Sequence, residues 1–302
     1  MSTRIKRRTS WKEYIPGTLF VAPFMILFFC FVVLPVIISF VMSFTDYDML
    51  QAPSFVGLEN YSELFLGDDV FGISVRNTLL FSIITGPLGY ILCFVLAWMI
   101  NEFGRKTRVL LTLCYYAPAL AGSSVYFIWQ FMFSGDAHGF INGILMNIGI
   151  IKEPIQWLTD TTYNFAVLIL AQLWMSLGTG FLAFIAGFQG IDSSVYEAGS
   201  IDGIKNRLQE MFFITLPMMK PQLLFGAIMQ ISACFSVSTL SSQLFGATST
   251  NYSTHTIVLH MIDYGTTRYE MGYACAIAVV LFVMMLVFKT IVNFVLRYVA
   301  ND

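Results

Sequence analysis

Two short runs hold the side chains best suited to binding a solute: Gln172, Trp174, Ser176 and Thr179 in "QLWMSLGTG", and Gln230, Ser232 and Ser236 in "MQISACFSVS". Carboxamides and hydroxyls exchange hydrogen bonds with a polar molecule, and an indole adds a flat apolar face. Gln172 and Ser176 are four apart, as are Ser232 and Ser236, so each pair shares one face of a helix. Ligand cavities are commonly apolar with a few placed polar groups of this kind. The same residue types also serve helix–helix contacts in membranes, where small and hydroxyl side chains let backbones approach. No Ser/His/Asp triad, carboxylate pair or metal-ligand set can be assembled at a common depth, so the expected chemistry is noncovalent and the chain is not expected to be an enzyme.

The elements that carry these runs are set by composition. Of 302 residues, 57% are hydrophobic and 11% charged, against about 25% charged in an ordinary soluble domain. Apolar runs able to cross a bilayer, at about 20 helical residues each, lie at 16–44, 79–100, 109–133, 165–188, 223–245 and 271–288. The runs lack the strict alternation of a membrane barrel, and lipid offers backbone groups no partners. The fold class is therefore all-α, a polytopic protein of six membrane helices. The organisation expected is a basic N-terminus at 1–15, a membrane domain at 16–299 with a polar loop at 189–221, and a tail at 300–302. The first run follows "RIKRR" but outlasts a secretory signal and lacks its cleavage site, so it reads as a retained helix.

Basic residues are distributed unevenly. With the N-terminus inside, Arg4, Lys6, Arg7, Arg8, Lys12, Arg105, Lys106, Arg108, Lys205, Arg207, Lys220, Lys289 and Arg297 fall inside, and only Arg76, Lys152 and Arg268 fall outside. The positive-inside rule then puts both termini and the 189–221 loop in the cytoplasm. The spans are almost free of ionisable groups, which argues against an ion-driven carrier. No GxxxxGK[ST] loop is present to cradle a nucleotide, so any energy must come from a partner. "GTGFLA" at 178–183 matches a dinucleotide pattern but lies inside an apolar span, where close helix packing accounts for its glycines. The five cysteines fall in spans and are expected to be buried thiols. Acids around Asp68-Asp69 and Glu59–Glu63 are expected on solvated faces, with His138, His255 and His260 in outside loops.

The polar loop contains "EAGSIDGIKNRLQEMFFITLPMMKP" at 197–221. Ser194 followed by Glu197 has capping-box spacing, and Gly203 suits the left-handed position after a helix, so a two-turn helix is expected between them. A second helical piece through "KNRLQEMFF" is expected to stop at Pro217 and Pro221. A helix of two turns is marginal alone in water and needs a surface. It lies either against the chain's own spans or in a cytoplasmic partner.

Glu197-Ala198, Asp202-Gly203 and the "ITLP" ending at Pro217 closely resemble the EAA loop of ATP-binding-cassette importer permeases. "PSFVGLENYSELF" at 53–65, "YAPALAGSSVYFIWQFMF" at 116–133, "GFINGILMNIGI" at 139–150, "WLTD" at 157–160 and "MGYACAIAVVLF" at 271–282 look like segments of its carbohydrate-uptake branch, so the resemblance covers nearly the whole chain. It implies the type I importer permease fold in a prokaryotic cell membrane, in contact with lipid. It also implies a second permease subunit, two ATPase subunits that bind the ATP, an extracytoplasmic solute-binding protein and a sugar substrate, with no cofactor in this chain and no nucleic acid. Glu197, Ala198, Gly199, Asp202, Gly203 and Pro217 would couple to the ATPase, with Glu197 holding the start of the helix. Gln172, Trp174, Ser176, Thr179, Gln230, Ser232 and Ser236 would line the sugar path. Two positions depart from the pattern: Gly199 stands in place of the second Ala, and Ile204 in place of the Ala after DG. Alternatives are a permease for glycerol phosphate or another polyol, or a self-sufficient carrier or channel. The latter would call for intramembrane charges, an internal repeat or a filter sequence.

Overall fold

A computed structural model describes residues 11–301, with the backbone alone described at 11–17, Thr179 and 295–301. The basic residues Arg4 to Arg8 lie outside the described residues. In chain order the helices are α1 (Trp11–Phe28), α2 (Leu34–Met42), α3 (Glu59–Leu66), α4 (Asp69–Asn101), α5 (Arg105–Leu120), α6 (Ser124–Met132), α7 (Phe140–Asn147), α8 (Asn164–Met175), α9 (Thr179–Gln189), α10 (Ser193–Ile201), α11 (Arg207–Glu210), α12 (Leu216–Met218), α13 (Lys220–Phe235), α14 (Thr239–Phe245), α15 (Ile257–Ile262) and α16 (Met271–Asn301). Wide π-helical turns join α1 to α2 at Phe29–Val33 and α11 to α12 at Met211–Thr215, and a third follows α15 at Asp263–Thr267. A two-residue antiparallel ladder pairs Thr45 with Phe55 and Asp46 with Ser54.

Among the described residues, five helical stretches are long and apolar enough to cross a membrane: 18–42, 69–101, 164–189, 220–245 and 271–294. A sixth exists only if α5 and α6 count as one span, and these meet at 91°. The straight third helix expected from hydropathy is therefore a bent pair. Pro118 removes a helical N–H near the end of α5, and Gly122 takes a φ of +56° that turns the chain. The second span is longer than its apolar run, because Asp68 caps α4 well ahead of it by accepting from the Phe71 amide.

Three helices make the centre: α4, α9 and α13 pack on one another. Cys93, Ala97, Phe181, Phe184, Phe188 and Met219 fill the contact nearest α10. Phe81, Val125, Trp129, Leu168 and Leu240 form a second cluster with α6, α8 and α14, and Leu64, Phe71, Phe235, Ile257 and Ile277 a third under α15 and α16. Apolar side chains also cover the outside. Phe20 is 89% and Phe31 76% exposed on the first span, the inverse of a water-soluble surface and the arrangement hydrocarbon requires.

The fourth and fifth spans are each interrupted. Ser176–Gly178 separates α8 from α9, and Ser236–Ser238 separates α13 from α14. Irregular backbone at membrane depth must find internal partners. The Ser176 carbonyl accepts from the Cys93 thiol at 3.2 Å, and the Val237 carbonyl from the Thr256 hydroxyl at 2.7 Å.

Candidate translocation pathway and coupling loop

The two candidate solute-binding runs extend into these interruptions. Ser176 opens the first break, its hydroxyl donating to the Leu173 carbonyl at 2.7 Å, and Thr179 begins α9; the Thr179 side chain lies outside the described residues. Gln230, on α13, donates to the Thr85 carbonyl of α4 at 3.2 Å. A Cβ at Gly89 would collide with the Gln230 amide and would sit 3.2 Å from the Ser176 hydroxyl. The structure thus places Ser176 and Gln230, both buried, beside Gly89 where three helices meet. Gln172 is also buried, Ser232 half-buried and Ser236 exposed. Trp174 keeps 39% of its surface open and meets Trp129 edge-on at 5.7 Å, at the end of an aromatic column that runs through Phe133 and Trp157 to Tyr163.

At one end of the bundle α10 stands nearly free of the spans. Its cap is Asp192, whose carboxylate accepts from the Ser194 amide at 3.0 Å and is thereby held below the usual carboxylate range. This corrects the expected Ser194–Glu197 box: the helix starts at Ser193 and Glu197 lies in its middle, so Glu197 does not hold the helix start. The exit is as expected. Gly203 takes a φ of +99°, its N–H reaches the Ser200 carbonyl, and the Ile204 N–H reaches the Gly199 carbonyl at 3.0 Å, closing the end of the helix. Ser194, Glu197, Ala198 and Ile201, spaced one helical face apart, all point to solvent, and Ile201 is 86% exposed. Asp202 beyond them is exposed too.

The opposite face of α10 is anchored. The Tyr196 and Thr215 hydroxyls lie 3.1 Å apart, and Gly199 is buried against Ile204 and Ile214. A Cβ on Gly199 would lie 2.6 Å from the tip of Ile214 and 3.1 Å from that of Ile204. The two departures from the family pattern are therefore one feature: the missing methyl at 199 makes room for the larger side chain at 204. Arg207 spans from Glu102 at the end of α4, 3.1 Å away, to Glu210 at 2.7 Å, across a cleft also lined by Trp98 and Phe188. Pro221 lies in the first turn of α13, where a proline sacrifices no hydrogen bond. Pro217 lies inside the continuous helical run of α11, the π turn and α12, so Pro217 does not stop that run.

At the far end of α4 the sequence reading is corrected again. Asp68 is buried, not solvated: one carboxylate oxygen accepts from the Phe71 amide and the other meets His260 Nε2 at 2.8 Å, Tyr273 at 2.9 Å and Tyr264 at 3.3 Å. Burial alone would raise this carboxyl, but the Phe71 amide, the Tyr273 hydroxyl and His260 together hold it low. His255 and His260 are each 1% exposed. Burial and the neighbouring His260 push His255 down to about 4. Asn77 donates to the Tyr252 and His255 carbonyls, so the loop before α15 is tied to α4. The spacing of His260 and Tyr264, four apart, and of Asp68 three before Phe71 was the available signal.

Residues 89–302 match the model of the binding-protein-dependent transport system inner membrane component family. The chain belongs to this family. It is accordingly a multi-pass membrane protein of a transport system. It is 34% identical to the probable ABC transporter permease protein YesP of Bacillus subtilis, over 94% of this chain and 93% of that one. It is 35% identical to the lactose transport system permease protein LacF of Rhizobium radiobacter, over 73% and 74%. In fold it is similar to a bacterial ABC transporter involved in the import of the acidic polysaccharide alginate, with a TM-score of 0.76 at 22% identity, over 95% of this chain and 98% of that one. It is likewise similar in fold, with a TM-score of 0.77 at 22% identity over 97% of this chain and 98% of that one, to a bacterial alginate ABC transporter in complex with alginate pentasaccharide-bound periplasmic protein. The likeness in fold extends over nearly the whole of both chains.

Proposed function

We propose that this chain is one half of the translocation pathway of an ATP-driven saccharide importer, in which α10 docks into a cytoplasmic ATPase. The exposed face of α10 carries this reading: a capped two-turn helix with a solvent-facing Ile201 has no partner surface of its own on that side. Relatives named for lactose, arabinooligosaccharide and trehalose/maltose transport support a saccharide substrate. A second permease completes the pathway, and two ATPases bind the ATP, so this chain needs no cofactor. A solute-binding protein delivers sugar on the far side, and both termini and the 189–221 loop are cytoplasmic. Glu197, Ala198, Asp202 and Gly203 present or shape the docking helix, Gly199 seats it and Pro217 starts the link to α13. Trp174 and Ser236 offer the open polar and aromatic surface of the pathway, while Gln172, Ser176, Gln230 and Ser232 set the helices behind them.

Two substitutions test the docking helix. Gly203→Val puts a β-branched side chain at a positive φ, and Glu197→Lys reverses charge on the exposed face. Either should abolish sugar-stimulated ATP hydrolysis or release the ATPase from detergent-purified complex. Normal subunit ratios with normal stimulated hydrolysis in both variants would refute docking through α10.

A further inference from the structure

A second cleft, of about 140 Å³ and lined by both polar and apolar side chains, lies toward the far end from α10, between α14 and the π turn that follows α15. Ser238, Thr239 and Ser242 line one wall, Asp263 and Thr267 the other, over an apolar floor that includes Leu259. Ser238 belongs to the break between α13 and α14, so the cleft starts at that break and opens toward the loop. Asp263 is fixed: Arg268 holds its carboxylate through Nε at 3.0 Å and Nη2 at 2.9 Å, and the guanidinium lies 4.1 Å over the Tyr264 ring. Tyr264 in turn meets buried Asp68. A carboxylate held this way keeps lone pairs for further donors. Among the described residues the Ser238, Thr239 and Thr267 hydroxyls make no hydrogen bond of their own.

We infer that this cleft is an entry subsite for an uncharged saccharide, which it receives before the solute reaches the break. The inference rests on the importer reading above. Asp263 accepts from two sugar hydroxyls, the serine and threonine hydroxyls exchange hydrogen bonds with others, and the apolar floor takes the C–H face. The local charges of Asp263 and Arg268 cancel, and none of the residues lining the cleft is cationic, so a uronate brings an anion toward Asp263. Beyond the cleft, the described side chains named at the breaks are amides, hydroxyls and an indole, which hydrogen-bond a neutral sugar but cannot neutralise an acidic one.

The test uses the assembled importer in liposomes, with native cysteines replaced and Thr239→Cys introduced. Its labelling by a membrane-impermeant maleimide is followed with lactose, maltose, arabinotriose or digalacturonate. At least one neutral sugar should slow labelling several-fold and digalacturonate should not, while a cysteine at Thr266, beside the cleft, should be labelled equally in all. Asp263→Asn should lower uptake at subsaturating sugar by roughly tenfold, the worth of one charge-assisted hydrogen bond. Protection by digalacturonate, equal protection at both positions, or no protection by any sugar would overturn the subsite. If the cysteine variant fails to assemble, unchanged uptake by Asp263→Asn overturns it alone. Loss of binding-protein-stimulated ATP hydrolysis in the unaltered complex would instead remove the importer reading.

Discussion

Gly199 shows how a single missing methyl can be read as fit. In place of alanine it leaves the space that Ile204 and Ile214 occupy. Gly199→Ala should therefore overpack the seat of α10 and cost about 1–3 kcal/mol, read as a lower melting temperature of purified complex. Combining it with Ile204→Ala should return part of that loss, giving a coupling energy of at least about 0.5 kcal/mol. Additive effects would separate the two positions. His255 supplies a pH dependence. Its folded pKa is depressed from 6.5 to about 4, so the unfolded state binds the extra proton between those values. Stability is full above about 6.5, falls as pH drops toward 4 and is then level, with about 3 kcal/mol as the upper limit. His255→Gln should flatten that part of a melting-temperature profile against pH, and an unchanged slope would assign it to other groups.

The spans are held open by side chains outside them. Thr256 satisfies the Val237 carbonyl at the break between α13 and α14. Thr256→Val keeps the shape and removes the donor, so it should cost about 1–3 kcal/mol for a buried carbonyl left unpaired, whereas Thr256→Ser should cost far less. Equal melting temperatures for the two would show that the break needs no such donor. Hydropathy located the five spans and the region of the bent α5–α6 pair but not their interruptions, because Ser, Gly and Thr inside an apolar run lower its mean too little to register. The right angle between α5 and α6 depends on Pro118 and on one positive φ at Gly122, local geometry that a nineteen-residue average removes. In the coupling loop the exit at Gly203 was legible, since only glycine takes that φ without strain. The start was not. Asp192 and Ser194 both offer capping oxygens within the same turn, and the backbone, more than the spacing, decides between them.

Across the whole molecule α4 connects the two ends. It carries Asp68 and its histidine and tyrosine cluster at one end and Glu102, paired with Arg207, at the other, a rise of about 50 Å over 33 residues. The far-end cluster was only faintly legible in the sequence, because Asp68 meets His260, Tyr264 and Tyr273 from about 200 residues earlier in the chain. Among the described residues the spans carry few charges, and no group of His, Cys, Asp or Glu is arranged to hold a metal. In the function proposed above, work enters at α10. Reconstitution measures this directly: the chain alone, and the chain with its second permease, ATPases and binding protein, in liposomes loaded with ATP or without. The account predicts sugar accumulation only in the complete, ATP-loaded vesicles, and accumulation by the chain alone would contradict it.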